Sequence, residues 1–245
     1  MGQRRLFPVA GAFLACFLLV ASFRASFYVI NEDVNQWSAS VNDGPFTLAA
    51  MAINFCFDTL PLFALSLVAA AALFVYRVRR YGFLVLGAMA GDALLVEFVK
   101  TVIASPRPLD GILNETGYSF PSGHTAGTVV FLGVLTYFAW KFWGGMKVKA
   151  MTVGLYMAVT ALVGFDRLYL NVHWFSDVLG AVFLGAFWLV FCILVFDRAL
   201  SAGSIQRFGT RLGDWLSARR IYSVYITMNR IAVWVGLKLQ PPSAR

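Results

Sequence analysis

Both histidines of the chain lie between positions 100 and 177, in a sequence otherwise dominated by apolar residues. The ionisable groups of this stretch include three cations, the two histidines and a carboxylate, namely Lys100, Arg107, His124, Arg167, His173 and Asp177. Such groups are costly near a bilayer and call for a functional explanation. Converging cations form an anion site, and the arginine guanidinium matches the paired oxygens of a phosphate. The residue types therefore predict a phosphate-binding site.

Two local patterns add to this prediction. Ser122 and Gly123 directly precede a predicted helix, whose free backbone N–H groups and positive dipole end favour an anion. His173 and Asp177 are four residues apart, so on a helix the carboxylate can hold the imidazole Nδ1–H. This pairing leaves Nε2 free as a nucleophile or a base, and His124 remains as the general acid for a leaving group.

Each of these residues also has an ordinary interpretation when taken alone. A histidine at a helix end is often a surface or capping residue, and an external arginine is often an interfacial anchor. The segment Pro121 to Gly123 is also typical of a turn and a helix start. The joint placement of six such groups favours a site. Two histidines and Asp177 could ligate a metal, but three nearby cations would oppose a divalent ion, so no metal site is predicted.

The composition indicates an all-α, polytopic integral membrane protein. The chain is 60% hydrophobic and 13% charged, with a mean hydropathy of +0.73, which is unlike a soluble domain. Six stretches are long enough to cross ~30 Å of hydrocarbon as helices. They are Leu6 to Phe23, Leu60 to Tyr76, Phe83 to Ile103, His124 to Trp143, Ala150 to Phe165 and Trp174 to Phe196. The first, although it follows Arg4 and Arg5 as in a signal peptide, is interpreted as a span.

The distribution of Lys and Arg predicts the orientation of this six-helix bundle. With both termini cytoplasmic, 16 of the 20 Lys and Arg residues lie inside, and those outside are Arg24, Lys100, Arg107 and Arg167. The basic residues are scattered between apolar runs, so nucleic-acid binding is not predicted. The three cysteines are isolated and predict neither a disulfide framework nor a metal or redox motif.

Two segments outside the spans have their own predictions. The external segment Asn31 to Asp58 mixes Trp37 and Phe46 with polar residues, which predicts a short interfacial helix or, equally, a surface loop. Residues 1–197 form the predicted membrane domain. Residues 198–245 form a basic amphipathic tail with interleaved aromatic residues, expected to lie on anionic lipid at the cytoplasmic face.

The spacing of the charged residues resembles the three-part signature of the type 2 phosphatidic acid phosphatase family. The matching parts are Lys100-(six residues)-Arg107-Pro108, Pro121-Ser122-Gly123-His124, and Arg167-(five residues)-His173-(three residues)-Asp177. The resemblance implies a metal-independent membrane phosphatase without a cofactor. It makes His173 the nucleophile, Asp177 its orienting partner and His124 the acid and later base. It assigns the phosphate cradle to Lys100, Arg107, Ser122, Gly123 and Arg167.

One residue departs from this pattern, because Asp166 stands where the family usually has serine. Its carboxylate is expected either to point into water or to hold a neighbouring cation, Arg167 or Lys100.

The predicted function is a lipid phosphatase of a bacterial inner membrane, with its site at the periplasmic leaflet. An isoprenyl (undecaprenyl) diphosphate is the favoured substrate, and phosphatidylglycerophosphate, phosphatidic acid and lipid A 1-phosphate are alternatives. The same residues would serve phosphotransfer to a second lipid. A lipid-phosphate transporter or scaffold is the non-enzymatic alternative, although binding alone needs no nucleophile. The sequence predicts no oligomeric state.

Overall fold

A computed structural model describes residues 6–41, 46–142 and 145–201, and within them the chain is helical. The helices are α1 (Leu6–Ser22), α2 (Tyr28–Val41), α3 (Phe46–Cys56), α4 (Thr59–Val75), α5 (Arg79–Ile103), α6 (Gly123–Phe142), α7 (Met146–Tyr169) and α8 (Phe175–Ser201). A 3₁₀ turn, Arg24–Phe27, joins α1 to α2. The all-helical prediction is confirmed for these residues. The predicted tail lies almost wholly outside them.

Four helices, α5 to α8, are each long and apolar enough to cross a membrane. The other crossings depend on two bent pairs: α1 meets residues 24–41 at 74°, and α3 meets α4 at 48°. The described residues thus provide four candidate spans, or up to six if each bent pair is one span. Both α1 and α4 have 17 residues, or about 25 Å of helix against ~30 Å of hydrocarbon. The count of six spans stays a prediction.

Helix α7 is longer at both ends than the predicted stretch Ala150 to Phe165. It begins at Met146 and ends at Tyr169, so it includes Lys147 and Lys149 in its first turn and Asp166 and Arg167 in its last. A span predicted from hydropathy alone ends where charged residues begin. The helix continues because lysines reach the interface from a helix end and because Arg167 is paired with Asp166.

Within the segment Asn31 to Asp58, residues 31–41 belong to α2 and residues 46–56 belong to α3, instead of forming one short interfacial helix. The polar side chains of α2 bind the end of α7, the α7–α8 turn and the start of α8. Asn31 exchanges hydrogen bonds with Ser176 (3.3 and 3.1 Å), Asn35 Nδ2 donates to Asn171 Oδ1 (2.8 Å), and Ser38 Oγ donates to the Tyr169 carbonyl (2.8 Å). The polar residues of α2 thus hold this turn in place.

Close packing of α8 against α5 and α6 fixes the centre of the bundle. A Cβ at Gly91 would overlap the Trp188 ring, and one at Gly133 would overlap the Leu189 side chain. Large side chains of α8 thus fill space that glycines leave open, as is typical of helix interfaces in membranes. At one end of the bundle the Ser122 N–H donates to the Asp177 carbonyl (3.2 Å). This bond brings the starts of α6 and α8 together.

Candidate active site

The predicted site residues meet at the end of the bundle where α5 ends and α6 and α8 begin. A cavity of about 400 Å³ opens there. Its lining includes Lys100 from α5, Arg107 from the following loop, Gly123 and His124 from α6, and His173 from the α7–α8 turn. The structure thus brings both histidines and two of the three predicted cations to one cavity.

His173 and Asp177 form a buried pair at the start of α8. Their Nδ1 and Oδ2 atoms are 3.4 Å apart, and each side chain is 1% exposed. His173 lies in the turn before the helix and Asp177 in its first turn, where Asp177 Oδ2 also accepts the Trp174 N–H (2.9 Å). This contact resembles the return arm of a capping box and fixes the carboxylate.

A serine that the sequence reasoning missed completes this pair. Ser119 Oγ donates to Asp177 Oδ2 and lies 3.3 Å from His173 Nδ1. Asp177 therefore receives hydrogen bonds from a side chain and a backbone N–H, which together fix the direction of its carboxylate. Burial lowers the pKa of His173 below its ordinary value, while the Asp177 carboxylate opposes that shift. A neutral imidazole with its proton on Nδ1 fits this environment.

Arg107 lies on the other side of the imidazole. Its Nη1 is 3.2 Å from His173 Nε2 and donates to the Val172 carbonyl (2.9 Å). Its Nε donates to the Gly117 carbonyl (3.2 Å). The guanidinium is therefore held by backbone oxygens next to the ring nitrogen that faces away from Asp177.

Glu115, which the sequence analysis did not single out, bridges the two arginines of the site. Its Oε2 lies 2.9 Å from Arg107 Nη1, and its Oε1 accepts from Arg167 Nη1 (3.0 Å). The carboxylate lines the cavity, whereas Arg167 is fully buried and lies outside the lining. Glu115 thus stands between Arg167 and the cavity.

Asp166 holds Arg167 from the opposite side. Its Oδ2 accepts from Arg167 Nη2 (2.8 Å) and Nε (3.2 Å), and the residue is 2% exposed. The alternative that placed this side chain in water is wrong, and the alternative that made it hold Arg167 is confirmed. The reason is that α7 continues through both residues into the buried end of the bundle.

His124 faces a second carboxylate that the sequence analysis did not connect with it. Its Nε2 is 3.4 Å from Asp58 Oδ1, at the break between α3 and α4, although the angles are outside those of a hydrogen bond. The His124 side chain is 11% exposed and that of Asp58 is 45% exposed. A separation of 66 positions in sequence left no local signal for this contact.

The start of α6 is built differently from the prediction of free backbone N–H groups. Ser122 is fully buried; its N–H binds the Asp177 carbonyl, and its Oγ accepts from Thr125 Oγ1 (3.1 Å). Gly123, in contrast, lines the cavity. At the end of α5, Lys100 also lines the cavity, and its Nζ lies 3.4 Å from Glu97, whose side chain is 72% exposed.

The fold and the site together define a class of protein. A carboxylate-supported histidine, a second histidine and fixed cations around one cavity are suited to phosphoryl transfer, in which positioning and electrostatics do most of the work. The apolar helices place this site in an integral membrane protein.

The chain belongs to the PAP2 superfamily of membrane lipid phosphatases, whose sequence profile matches residues 81–201. It is 34% identical to phosphatidylglycerophosphatase B of Bacillus subtilis (strain 168) over 141 residues, or 57% of this chain and 69% of that protein. It is 37% identical to the putative undecaprenyl-diphosphatase YbjG of Escherichia coli (strain K12) over 68 residues, or 27% of this chain and 29% of that protein.

A solved structure is similar over most of the fold. The crystal structure of a transmembrane PAP2-type phosphatidylglycerolphosphate phosphatase from Bacillus subtilis aligns with a TM-score of 0.70 and 26% identity. The alignment covers 78% of this chain and 96% of that one.

Proposed function

We propose that this protein removes a phosphate group from a lipid through a phosphohistidine on His173. The observation that carries the proposal is the His173–Asp177 pair, whose histidine lines the same cavity as His124, Arg107 and Lys100. In the first step the lone pair of His173 Nε2 forms a bond to phosphorus. The bond from phosphorus to the leaving oxygen breaks in line with it.

His124 handles the proton in both steps of the proposed reaction. It donates a proton to the departing oxygen, so that a monoester substrate leaves with a neutral hydroxyl group instead of an alkoxide. It then takes a proton from water as the water oxygen attacks phosphorus and the P–N bond breaks. Inorganic phosphate departs, and both histidines return to their starting states.

The cations have unequal parts in this mechanism. Arg107 and Lys100 line the cavity, so they are placed to neutralise the equatorial oxygens of the phosphoryl group. Arg167 reaches the cavity through Glu115 and becomes a direct ligand only if that carboxylate moves. Gly123 lets the start of α6 approach a bound phosphate, and Ser122 supports that start from behind.

A metal-independent mechanism is supported by the donor groups. Among residues 6–41, 46–142 and 145–201, no three His, Cys, Asp or Glu side chains converge as metal ligands. Fixed guanidinium and ammonium groups supply positive charge instead. Activity that is lost in EDTA and restored by Mg²⁺ would contradict this part of the proposal.

Phosphatidylglycerophosphate is the first candidate substrate, because the relative aligned over 141 residues and the similar crystal structure both carry that activity in their names. An isoprenyl diphosphate is the second candidate, supported by the 68-residue similarity to the putative undecaprenyl-diphosphatase. Phosphate release from purified protein with both lipids, without an added acceptor, tests hydrolysis and ranks them. Transfer to a second lipid without free phosphate would favour the phosphotransferase alternative.

Loss of the nucleophile gives the decisive test of the covalent step. His173→Ala should lower kcat at least about a hundredfold while leaving lipid binding in place, since several kcal/mol of transition-state stabilisation would go. A ³²P label that stays on wild-type protein after an alkaline quench and is absent from His173→Ala would support the phosphohistidine. Residual activity above about a hundredth of wild type would overturn the assignment.

We further propose that the site faces the periplasm of a bacterial inner membrane. The bias of Lys and Arg toward the opposite side supports this orientation. Asn114→Cys and Lys147→Cys, each in a background without the native cysteines, provide the test with a membrane-impermeant thiol reagent on intact cells. Labelling at position 114 alone is expected, and labelling at position 147 alone would reverse the topology.

A further inference from the structure

We propose that Asp58 is the positioning carboxylate of His124, which orients the imidazole and stabilises its cationic form. The inference rests on the proposed role of His124 as the acid. It gives the site two histidine–aspartate pairs, one for the nucleophile and one for the proton donor.

The geometry of the α3–α4 break supports this assignment. The two helices meet at 48°, and Asp58 is the N-cap of α4, where its Oδ1 accepts the Thr59 N–H at 2.6 Å. This cap fixes the carboxylate 3.4 Å from His124 Nε2. Both residues line the cavity that also contains His173.

Close contact between α4 and α6 maintains this distance. A Cβ at Gly127 would lie 3.3 Å from Leu62 Cδ1, and one at Gly123 would lie 3.9 Å from Thr59 Oγ1. Leu62 is itself 1% exposed. The glycines of the first turns of α6 thus allow the start of α4, with its capping carboxylate, to approach the histidine.

The charges around His124 explain why a carboxylate is needed. The cavity that His124 lines is also lined by the cations Lys100 and Arg107, by His173, and by the carboxylates Glu115 and Asp58. Nearby cations disfavour an imidazolium, although the acid step requires one. Within the part of the chain that the structure describes, Asp58 is the carboxylate at ion-pair distance from this ring.

Asp58 transfers no proton in this scheme. When His124 gives its proton to the leaving oxygen, the imidazole becomes neutral; when it takes a proton from the attacking water, the ion pair with Asp58 forms again. The carboxylate therefore acts through His124. Its influence should grow with the need of the leaving group for a proton.

The test compares farnesyl phosphate with farnesyl diphosphate, which share a lipid chain and differ in leaving group. Asp58→Asn keeps the cap and removes the charge, since asparagine is an equally good N-cap. We expect kcat/KM to fall about tenfold or more on the monophosphate and less than threefold on the diphosphate. This ratio reports only steps up to release of the leaving group. Asp58→Ser also introduces a residue that caps helices and should give the same losses as Asp58→Asn. As a control, Asp33→Asn removes an exposed carboxylate on α2 and should leave both kcat/KM values unchanged.

His124→Ala tests separately whether Asp58 acts through His124 and whether His124 is the acid. In that background Asp58→Asn should change kcat/KM less than twofold, because the group it acts through is gone. Equal losses on both substrates, or an undiminished effect in the His124→Ala background, would overturn the role of Asp58 alone. If His124→Ala itself fails to distinguish the substrates, the acid assignment of His124 is wrong and the role of Asp58 falls with it.

Discussion

Replacing Asp166 by serine should weaken both the fold and the activity, because its carboxylate holds a completely buried guanidinium. Asp166 Oδ2 accepts from Nη2 and Nε of Arg167 at 2.8 and 3.2 Å. Serine is too short to make either contact. The guanidinium would keep its other carboxylate partner, Glu115, at 3.0 Å.

The magnitude follows from these contacts. Removing one partner of a buried ion pair typically costs about 3–5 kcal/mol, and the remaining bond to Glu115 reduces this. We therefore expect the free energy of unfolding to fall by about 2–4 kcal/mol for Asp166→Ser. Asp166 holds Arg167, and Arg167 shares Glu115 with Arg107, whose Nη1 is 3.2 Å from His173 Nε2. We therefore expect kcat/KM of Asp166→Ser to fall about tenfold or more.

Two matched variants define the test. Asp166→Asn keeps an oxygen acceptor without the charge, so it should recover part of both losses. Asp110→Ser removes an exposed carboxylate from the loop at the same end of the bundle and should change neither quantity. The assay is kcat/KM on one lipid in detergent micelles, together with thermal unfolding. If Asp166→Ser stays within threefold of wild type with an unchanged Tm, the reasoning fails; an increase in activity would also contradict it.

Three further predictions concern the surroundings of this pair. Glu115→Gln removes a negative charge that competes for the two arginines, so inorganic phosphate should inhibit about three- to fivefold more strongly, or about 1 kcal/mol; weaker inhibition would contradict this competition. Because burial lowers the pKa of His173, the nucleophile should stay neutral as the pH falls through the ordinary histidine value of about 6.5. In a plot of kcat/KM against pH, the fall on the acid side that is shared by two lipid substrates should therefore lie below that pH. A fall that already begins above pH 7 would exclude a neutral buried histidine. Asn35→Ala leaves the buried Asn171 Oδ1 without its 2.8 Å donor, so Tm and kcat should both fall, at a cost of about 1–3 kcal/mol, whereas the exposed Gln36→Ala should match wild type.

The sequence by itself determined that the chain is a helical membrane protein, and it predicted residues that the structure brings to one cavity, namely His124, His173, Arg107 and Lys100. Long apolar runs favour helices that cross the membrane, because backbone polar groups in lipid must form their hydrogen bonds within the chain. Charges in such a chain are few, so those that remain indicate function. The four-residue step from His173 to Asp177 also specifies a contact, since its geometry is local to one turn.

Only the tertiary structure decided which residues distant in sequence contact one another in the site. Asp58 meets His124 across two helices, and Glu115 joins two arginines through a loop whose path no periodicity encodes. The direction of Asp166 depends on whether α7 ends before or after it, which hydropathy misjudges because a buried ion pair looks polar in sequence. The expectation of a free N–H at Ser122 failed for a similar reason: this N–H donates to the Asp177 carbonyl of another helix, and partners distant in sequence leave no local signal.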